Sequence, residues 1–482
     1  MRGRKTPRRV HDRHRMTGRA RRPQRLGDWL AHIQTQHWRS IDLQLDRIAR
    51  VWQRLRGRPT GLVISVAGTN GKGSSVAMLD AVLRAAGLST GAYTSPHLAR
   101  YNERVKINGR AVEDAELCEA FAAIEAARDG VPLTYFEFGT LCALLIFARR
   151  RVDASLLEVG MGGRLDAVNL VDNDLALITC IGIDHAQWLG DTRDAIGAEK
   201  AGIMKRGKAA VCADPSPPPC IAQLATERGC ALAQAGLDYQ ITRRDGGVEW
   251  RSDSAAVAAA GPEWRCLRLE TPLPGACQAD NLGGVVAALA LTRARSGVSV
   301  AHLNRGLANT DLAARCQVIA AAVGAPETVL DVAHNPDAAA ALAAFLARHQ
   351  KTGPTRKTRA VFAALKDKPV ADLVAPMAAT VAHWHLATIS GERGRPAAAL
   401  AAEVTHALAA AGRESTATLS THASPTAAYR AAMAAAAAPQ TARADDVARE
   451  RVVVFGSFQL VGAILARIDA SASRDRARHR ES

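Results

Sequence analysis

Short runs of β-branched and other apolar residues alternate with longer amphipathic segments from Leu26 to about Arg295. Each apolar run is closely followed by Gly, Asp or Ser, which is typical of parallel strands with functional groups at their carboxyl ends. This alternation predicts strands at residues 62–67, 90–93, 154–159 and 175–181. The first part of the chain is therefore expected to form a parallel sheet flanked by helices.

The pattern is less regular over residues 213–274, which predict one more αβ unit and then a small antiparallel appendage. A helix is expected at 282–294, with its start weakened by Gly283 and Gly284. After a linker at 296–314, a second alternating pattern over 315–470 predicts strands at 328–332, 359–363, 381–385 and 452–456. The predicted fold class is α/β. A parallel-sheet domain at 26–295 is followed by a second, smaller Rossmann-like α/β domain.

The positive charge of the chain is concentrated at its beginning. The 482 residues carry a formal net charge of +16, and residues 1–25 hold eleven Lys and Arg against one acid. The rest of the chain is thus ordinary for an enzyme, and 1–25 is predicted to be a disordered basic arm. It could contact RNA or an anionic surface non-specifically, or be an extension without a role, with Met16 as the true start. The Arg-rich residues 471–482 are predicted to be a disordered tail.

The cysteines and the hydropathy pattern indicate a cytoplasmic protein. The nine cysteines are scattered, with no CxxC pair and no histidines at metal-binding spacing, so they are interpreted as reduced core residues. No window has the length of a membrane span, and no apolar signal core follows the N-terminus. Disulfide-stabilised and membrane-spanning classes are therefore not expected.

A strand, a glycine-rich turn and a helical pattern follow one another at residues 62–83. The turn reads GTNGKGS over residues 68–74, so backbone N–H groups and a helix N-terminus are aimed at one point. Lys72 can neutralise phosphates, and a hydroxyl such as that of Ser74 can reach a metal ion. A turn without a ligand is the alternative, but the flanking strand and helix favour nucleotide binding. The domain at 26–295 is therefore predicted to be a P-loop parallel-sheet ATPase domain.

Polar groups follow the predicted strands of the first domain. Ser95 comes after the second strand, Glu158 ends the third, His185 follows the fourth, and Lys200 lies on the next helix. A carboxylate at a strand end beside a phosphate loop is suited to holding Mg²⁺, directly or through water. Histidine is a less usual Mg²⁺ ligand, so the residues alone leave the metal open.

Seven motifs occur in one order along the chain. They are AGTNGKGS at 67–74, TSPHL at 94–98, EVGMGGRLD at 158–166, DH at 184–185 with WLG at 188–190, EKAGI at 199–203, DVAHNP at 331–336 and DK at 367–368. In this order they resemble the folylpolyglutamate synthase/dihydrofolate synthase family of Mur-ligase-like, ATP-dependent amide-forming enzymes. The resemblance covers about Leu26 to Ala470, and seven ordered motifs are far more specific than any one of them.

The resemblance implies a role for each matching residue. The ATP-binding residues would be Thr69, Asn70, Gly71, Lys72, Gly73, Ser74, Asn281, Arg315 and Asp331. Mg²⁺, at two sites, would be held by Ser95, Glu158, His185 and Lys200, and Lys200 would be carbamylated by CO₂. Lys72, His185, Lys200 and His334 are the expected catalytic residues. Without the resemblance, Lys200 would be interpreted as a surface charge on a helix.

Three further segments resemble the pteroate-contacting segments of bifunctional members. Their residues are Asp42, Leu43, Gln44, Leu45, Thr134, Tyr135, Phe136, Glu137, Leu165, Asp166 and Ala167. Aromatic faces can stack on a pterin ring, and carboxylates can accept its N–H groups. Taken alone, Tyr135 and Phe136 would be core aromatics. With the resemblance, dihydropteroate is expected as a substrate beside folate tails.

The implied reaction is the activation of a carboxylate by ATP and its amidation by L-glutamate through an acyl phosphate. The small-molecule partners would be ATP, L-glutamate, dihydropteroate and folates, and a monomer is expected. Closure of two domains would bring Arg315 and Asp331 to the nucleotide. The alternatives are a tail-extending enzyme only, another ligase of the same architecture, or a nucleotide-binding homologue without ligase activity.

The chain departs from the family pattern at two places near the nucleotide. It has LAARCQ at 312–317, where LPGRFQ is usual, and CQAD at 277–280 before Asn281. Loss of the glycine before Arg315 matters if that turn needs a positive φ. Both changes are expected to affect nucleotide affinity more than the type of reaction.

Overall fold

The computed structural model describes residues 23–59, 61–244, 247–319, 326–351, 357–413, 416–437 and 450–481. Nearly all of the predicted basic arm, residues 1–22, lies outside the described residues, so its disorder stays a prediction. Within the described ranges, no helix is both long enough and apolar enough to cross a membrane.

The first domain is built on an eight-stranded, mainly parallel sheet with strand order β4-β3-β2-β5-β1-β6-β7-β8. β3 pairs antiparallel with β2 and β4, and the other pairings are parallel. The strands are β1 (Leu62–Ala67), β2 (Thr90–Tyr93), β3 (Val105–Ile107), β4 (Arg110–Ala111), β5 (Ala154–Glu158), β6 (Leu175–Ile178), β7 (Ala209–Cys212) and β8 (Ala231–Gln234). The structure confirms all four predicted strands, with β5 and β6 ending one and three residues early.

Helices cover both faces of this sheet. Alternate residues of β1 enter separate cores, with Val63 on one face and Ile64 and Val66 on the other. The helices are α1 (Leu26–Gln34), α2 (Asp46–Leu55), α3 (Lys72–Ala85), α4 (Asp114–Arg128), α5 (Tyr135–Arg150), α6 (Ala186–Leu189), α7 (Arg193–Ala201) and α8 (Cys220–Glu227). The Val63 face carries α1, α2, α4, α5, α7 and α8, whereas α3 packs on the other face.

The predicted αβ unit and antiparallel appendage over 213–274 are confirmed. α8 and β8 are followed by β9 (Gln240–Arg244), β10 (Gly247–Arg251), the short helix α9 (Ala255–Ala258) and β11 (Cys266–Leu269). β9, β10 and β11 form a three-stranded antiparallel sheet. Its buried Trp250 donates an indole hydrogen bond to the carbonyl of Gly283, which joins this sheet to the next helix.

That helix, α10 (Cys277–Ser296), begins five residues before the predicted start at 282 and runs through both glycines. A Cβ at Gly283 would lie 2.0 Å from Cδ1 of Ile241, and one at Gly284 would lie 2.6 Å from Cβ of Ala213. The pair therefore allows the antiparallel sheet and β7 to approach closely. The lower helix propensity of the two glycines stays a prediction, and the close packing around them depends on residues distant in the sequence.

The predicted linker at 296–314 contains a further helix, α11 (Val300–Ala308). Leu303 and Leu307 are buried in the core that contains α3. Assigning this stretch wholly to a linker was therefore wrong, because its apolar face completes the core of the first domain.

The second domain is a six-stranded sheet with order β12-β13-β17-β14-β15-β16, parallel except for the edge strand β12. Its strands are β12 (Gln317–Ile319), β13 (Glu327–Leu330), β14 (Thr358–Phe362), β15 (Val381–Ala387), β16 (Thr418–His422) and β17 (Arg451–Phe455). Its helices are α12 (Pro336–Lys351), α13 (Val370–Val374), α14 (Ala397–Ala410), α15 (Pro425–Ala437) and α16 (Phe458–Glu481). The four strands predicted here are confirmed within three residues at each end.

The last helix differs from its prediction. α16 continues to Glu481, although 471–482 is predicted to be a disordered tail. Alanine and arginine are strong helix formers, so a helix that starts on the folded domain can propagate through this segment.

Candidate functional site

The glycine-rich turn lies between β1 and α3, as predicted. Lys72 is the first residue of α3, and its ammonium group donates to the carbonyls of Gly68 and Thr69 at 3.0 and 3.1 Å. The backbone N–H of Thr69 donates to the carbonyl of Cys180 at 2.7 Å, which ties the turn to the chain after β6. The hydroxyl of Ser74 is buried without a hydrogen-bond partner.

Glu158, Lys72 and Arg315 meet at this turn. A Cβ at Gly73 would lie 3.7 Å from both Oε2 of Glu158 and Nη2 of Arg315, so the two side chains face one point. Burial raises the pKa of Glu158, while Lys72, Arg315 and the backbone N–H of Ser95, at 3.1 Å, act against this. A carboxylate, an ammonium group and a guanidinium group therefore surround the phosphate loop.

Two other predicted metal-site residues lie on neighbouring elements. His185 precedes α6 with φ +54°, and Lys200 is a buried residue of α7. Burial, and then the charge of Lys72, lower the pKa of Lys200 to about 7. The interpretation of Lys200 as a surface charge is thus wrong, because α7 turns this side chain inward.

The donor set at this site is mixed. In the described part of the chain, no three His, Cys, Asp or Glu side chains come together as metal ligands. A metal site here would therefore need the hydroxyl oxygens of Ser95 or Ser74, or a modified Lys200, in addition to Glu158 and His185. The unpartnered hydroxyl of Ser74 is compatible with such a set.

The second domain contacts this site directly. The amides of Asn70 and Asn335 form a reciprocal pair at 2.9 and 3.1 Å, which links the phosphate loop to the loop before α12. Lys368 donates to Asp184 at 2.7 Å, and Nε2 of His334 lies 3.7 Å from the same carboxylate. Burial lowers the pKa of His334 to about 4. Its ring is therefore neutral near pH 7.

Arg315 and Asp331 lie where the second domain faces the first. Asp331 accepts from the backbone N–H groups of Cys316 and Ala333 at 2.7 Å each, which holds the loop that carries Arg315. Ala314 has φ +58° and Cys316 has φ +45°. The turn thus does need the left-handed conformation, and an alanine adopts it where a glycine is usual in the resembling family.

Asn281 lies beside the phosphate loop, as predicted for a nucleotide contact. A Cβ at Gly71 would be only 2.1 Å from Oδ1 of Asn281. Asn281 also donates to Gln278 at 3.0 Å, within the unusual CQAD segment. This segment therefore forms part of α10 and supports Asn281 instead of displacing it.

The predicted pteroate segments adjoin the loop after Glu158 through Phe136. A Cβ at Gly160 would lie 2.6 Å from Cζ of Phe136. Tyr135 and Phe136 are half-buried, as are Leu43, Leu45 and Leu165, whereas Gln44 is exposed. Phe136 is thus the aromatic residue of these segments that the structure places against the loop after Glu158.

The acidic members of these segments are bound internally. Arg47 contacts Asp42 at 2.6 Å and Glu137 at 2.9 Å. Thr134 caps α5 by accepting from the N–H of Glu137, whose carboxylate accepts from Thr134 in return. In the structure, Asp42 and Glu137 pair with Arg47, and Glu137 also caps α5. Contacts of these acids with a substrate stay predictions.

Asp166 also has structural partners. It accepts from the N–H groups of Met161 and Val168 at 2.9 Å each and so shapes the loop between them. The adjacent Ala167 is buried. The role of this stretch in pteroate binding stays a prediction.

Several residues of the site were not among the predicted ones. Asp184, Asn335 and Lys368 join the two domains, and Phe458 lies under the guanidinium of Arg315, 5.6 Å from its ring centroid. Arg104 is buried between Tyr101 and Tyr135 and donates to His97 at 2.9 Å. Asp184, Asn335 and Lys368 lie within the seven motifs, so the motifs could have pointed to them as site residues. Arg104 and Phe458 lie outside the motifs.

Two family models match the two domains. Residues 66–290 match the Mur ligase middle domain, and residues 314–458 match the Mur ligase, glutamate ligase domain. The dihydrofolate synthase/folylpolyglutamate synthase of Escherichia coli (strain K12) is 36% identical over 453 residues, which cover 93% of this chain and 96% of the relative. The chain belongs to the dihydrofolate synthase/folylpolyglutamate synthase family. The resemblance inferred from the seven motifs is thereby confirmed.

Other members of this family agree in sequence and structure. The enzyme of the same name from Haemophilus influenzae is 36% identical over 384 residues, covering 77% of this chain and 84% of the relative. A structure of E. coli FolC with DHPP and ADP has a TM-score of 0.80 at 34% identity and covers 94% of this chain and 100% of its own. A Yersinia pestis structure with AMPPNP and Mn ion has a TM-score of 0.78 at 36% identity, with 94% and 100% covered. The predicted α/β fold class is confirmed.

Proposed function

We propose that this protein is an ATP-dependent ligase that joins L-glutamate to dihydropteroate, and to the γ-carboxyl of folate glutamate tails. The observation that carries the proposal is that Glu158 and Arg315 approach Gly73 of the phosphate loop, next to Lys72, in a chain that belongs to this family. The relatives are named for both activities, and one related structure holds Mn, AMPPNP and L-glutamate.

The phosphate loop of residues 69–74 would bind ATP, with Asn281, Arg315 and Asp331 as further contacts. Ser95, Glu158, His185 and Lys200 would hold Mg²⁺ at two sites, and the oxygen atoms of Glu158 and of the serine hydroxyls are donors of the kind that Mg²⁺ prefers. The metal would supply charge neutralisation on the triphosphate.

The protein residues would act by positioning and by charge. The substrate carboxylate attacks the γ-phosphorus in line, which gives an acyl phosphate and ADP. Lys72 and Arg315 would neutralise the charge that develops on the phosphate oxygens. The amine of L-glutamate then attacks the acyl carbon, and inorganic phosphate leaves. His334, neutral near pH 7, would orient phosphate or glutamate from the second domain.

Dihydropteroate would stack near Phe136 and Tyr135, with Leu43, Leu45 and Leu165 around it. Arg47 would keep Asp42 and Glu137 in place, and Asp166 would shape the loop after Gly160. This arrangement supports binding of a pteroyl group, which dihydropteroate and folates share.

Carbamylation of Lys200 would add an oxygen ligand to the metal site. The buried position of this lysine beside Lys72 supports the proposal, because a carbamate would replace one of two neighbouring positive charges by a negative one. ¹³C-labelled bicarbonate should give a carbamate NMR signal in the full-length protein that is absent from Lys200→Arg.

The nine cysteines are all free, which fits a reducing compartment. We accordingly place the protein in the cytoplasm, and we expect a monomer. Light scattering of the purified full chain tests the second expectation.

The deciding experiment is phosphate release from ATP, Mg²⁺ and L-glutamate with dihydropteroate, with reduced monoglutamyl folate, or with no acceptor. Release with both acceptors supports the bifunctional reaction. Release with folate alone would leave a tail-extending enzyme and contradict the roles given to Asp42 and Asp166. ATP binding without phosphate release would favour a nucleotide-binding protein that has no ligase activity. The observation that keeps this alternative open is the left-handed backbone at Ala314, next to Arg315.

A further inference from the structure

A cavity of about 640 Å³ opens on the first domain, where α2, α4 and α5 all end. Four arginines line it, Arg54, Arg56, Arg58 and Arg149, and Ala127 and Leu145 are part of its apolar wall. A neighbouring cavity of about 430 Å³ shares Arg54 and Arg56 and adds Arg50. Neither cavity contains a residue of the candidate ligase site.

Most of this positive charge is not neutralised by the protein. Arg54 donates to the carbonyls of Ala127 and Arg128 at 3.0 Å each and lies 3.9 Å from Asp129. Among the residues that the structure describes, no carboxylate forms an ion pair with Arg50, Arg56, Arg58 or Arg149. All four are exposed, so their guanidinium groups remain available to a ligand.

The ends of the helices explain only part of this cluster. The carboxyl end of a helix carries about half a negative charge and attracts arginine. Arg54 satisfies the end of α4 in this way, and Arg128 and Arg150 have Glu125 and Glu116 as partners. Arg56 caps α2 with φ +50°, a conformation that favours glycine. Asp129 and Arg151 end α4 and α5 in the same left-handed conformation, so what distinguishes Arg56 is the position and charge of its side chain.

We propose that this cavity binds a small molecule that carries several phosphate groups. One guanidinium group can donate two parallel hydrogen bonds to a phosphate group. Several guanidinium groups at one place therefore suit a ligand with several phosphate groups better than a ligand with a single negative charge. Its volume of about 640 Å³ matches a small ligand, the depression is shallow and open to solvent, and its alanine and leucine side chains can contact an organic portion of the ligand. Four arginines at one compact patch suit a small polyanion, and an extended nucleic-acid strand is the alternative that the experiment tests. The site is separate from the proposed ligase reaction.

The test is calorimetric titration of inorganic tripolyphosphate into the full-length protein, with the phosphate loop first saturated with ADP and Mg²⁺. The test variant is R56Q/R58Q/R149Q. The control variant is R110Q/R206Q/R265Q, which removes the same charge from three exposed arginines that line neither cavity. Thermal melting confirms that both variants are folded.

The wild type and the control variant should bind tripolyphosphate, and the test variant should bind at least about tenfold more weakly, because it loses three charge-assisted contacts. Binding should also weaken as NaCl is raised, since exposed charges are screened. Equal binding by all three proteins would place the ligand elsewhere and overturn the proposal. Tighter binding of tri-γ-glutamate or of an RNA oligomer than of tripolyphosphate would overturn the assigned ligand class. Ligase activity of the test variant should be unchanged whichever ligand binds.

Discussion

Ala314 combines a left-handed backbone with a side chain that disfavours it. Its φ of +58° lies where an L-residue pays about 1–2 kcal/mol relative to glycine. Glycine loses more entropy on folding, by about 0.5–1 kcal/mol, which offsets part of the gain. We expect Ala314→Gly to raise the free energy of unfolding by about 0.5–1 kcal/mol, measured by urea denaturation.

The matched control is Ala313→Gly, because Ala313 has no positive φ and so offers no strain to relieve. It should be neutral or slightly destabilising. A stabilisation of similar size in both variants would show that the left-handed backbone is not the cause.

Phe458 packs against the guanidinium of Arg315, whose Cζ lies 5.6 Å from the centroid of the phenyl ring. The residue after Arg315 is Cys316, at a position where an aromatic is usual in the family. A cation–π contact contributes about 0.5–1 kcal/mol at such a site. We therefore expect Phe458→Leu to weaken ADP binding roughly twofold to fivefold, measured by calorimetry.

Phe345→Leu is the corresponding control, since it removes another aromatic contact, the stack on His349, within α12. ADP affinity should be unchanged there. If Phe458→Leu binds ADP as the wild type does, the ring does not position Arg315.

At the scale of elements, α11 contributes to the first domain by approaching α3 closely. A Cβ at Gly306 would lie 2.4 Å from Cα of Val82, a contact with backbone that cannot move away. Gly306→Ala should thus destabilise the protein by about 1–3 kcal/mol, as overpacked cores do. Thermal or urea denaturation measures this loss.

A second helical glycine should respond in the opposite direction. Gly27 of α1 is exposed, and a Cβ at this position would have no other atom within 4 Å. Gly27→Ala should therefore raise the free energy of unfolding by about 0.5–1 kcal/mol. Equal effects of the two substitutions would contradict the close packing of α11 on α3.

At the scale of the whole molecule, the contact of Asp184 with Lys368 couples the two domains. Lys368 is buried and donates at 2.7 Å, and although burial opposes it, His185 and Lys368 hold the pKa of Asp184 well below its usual range. Removing Asp184 leaves the buried ammonium group of Lys368 without this carboxylate, whereas removing Lys368 leaves Asp184 with Asn335 and His334 as remaining contacts. A double-mutant cycle with Asp184→Asn and Lys368→Met should give a coupling energy of about 1–3 kcal/mol in unfolding.

The surface pair of Arg150 and Glu116, within one domain, is the comparison. Its 2.8 Å contact is more exposed and should couple by less than about 1 kcal/mol. An interdomain coupling no larger than this would mean that the contact does not hold the domains together.

The sequence by itself determined the strands, the phosphate loop and the family. An apolar strand, a glycine-rich turn and a helix start are local patterns, so residues 62–67 and Lys72 could be placed without the fold. The ordered motifs singled out Glu158 and Lys200 as candidate site residues, and the resemblance of the segment at 312–317 to the family pattern did the same for Arg315.

Only the tertiary structure decided which distant residues meet. It paired Asn70 with Asn335, turned Lys200 inward, and gave Gly283 a packing role against Ile241. It also brought Arg56 and Arg149 to one cavity from separate helices. Such contacts depend on how helices and sheets pack, and packing energy is shared among residues far apart in sequence, so no local pattern encodes it.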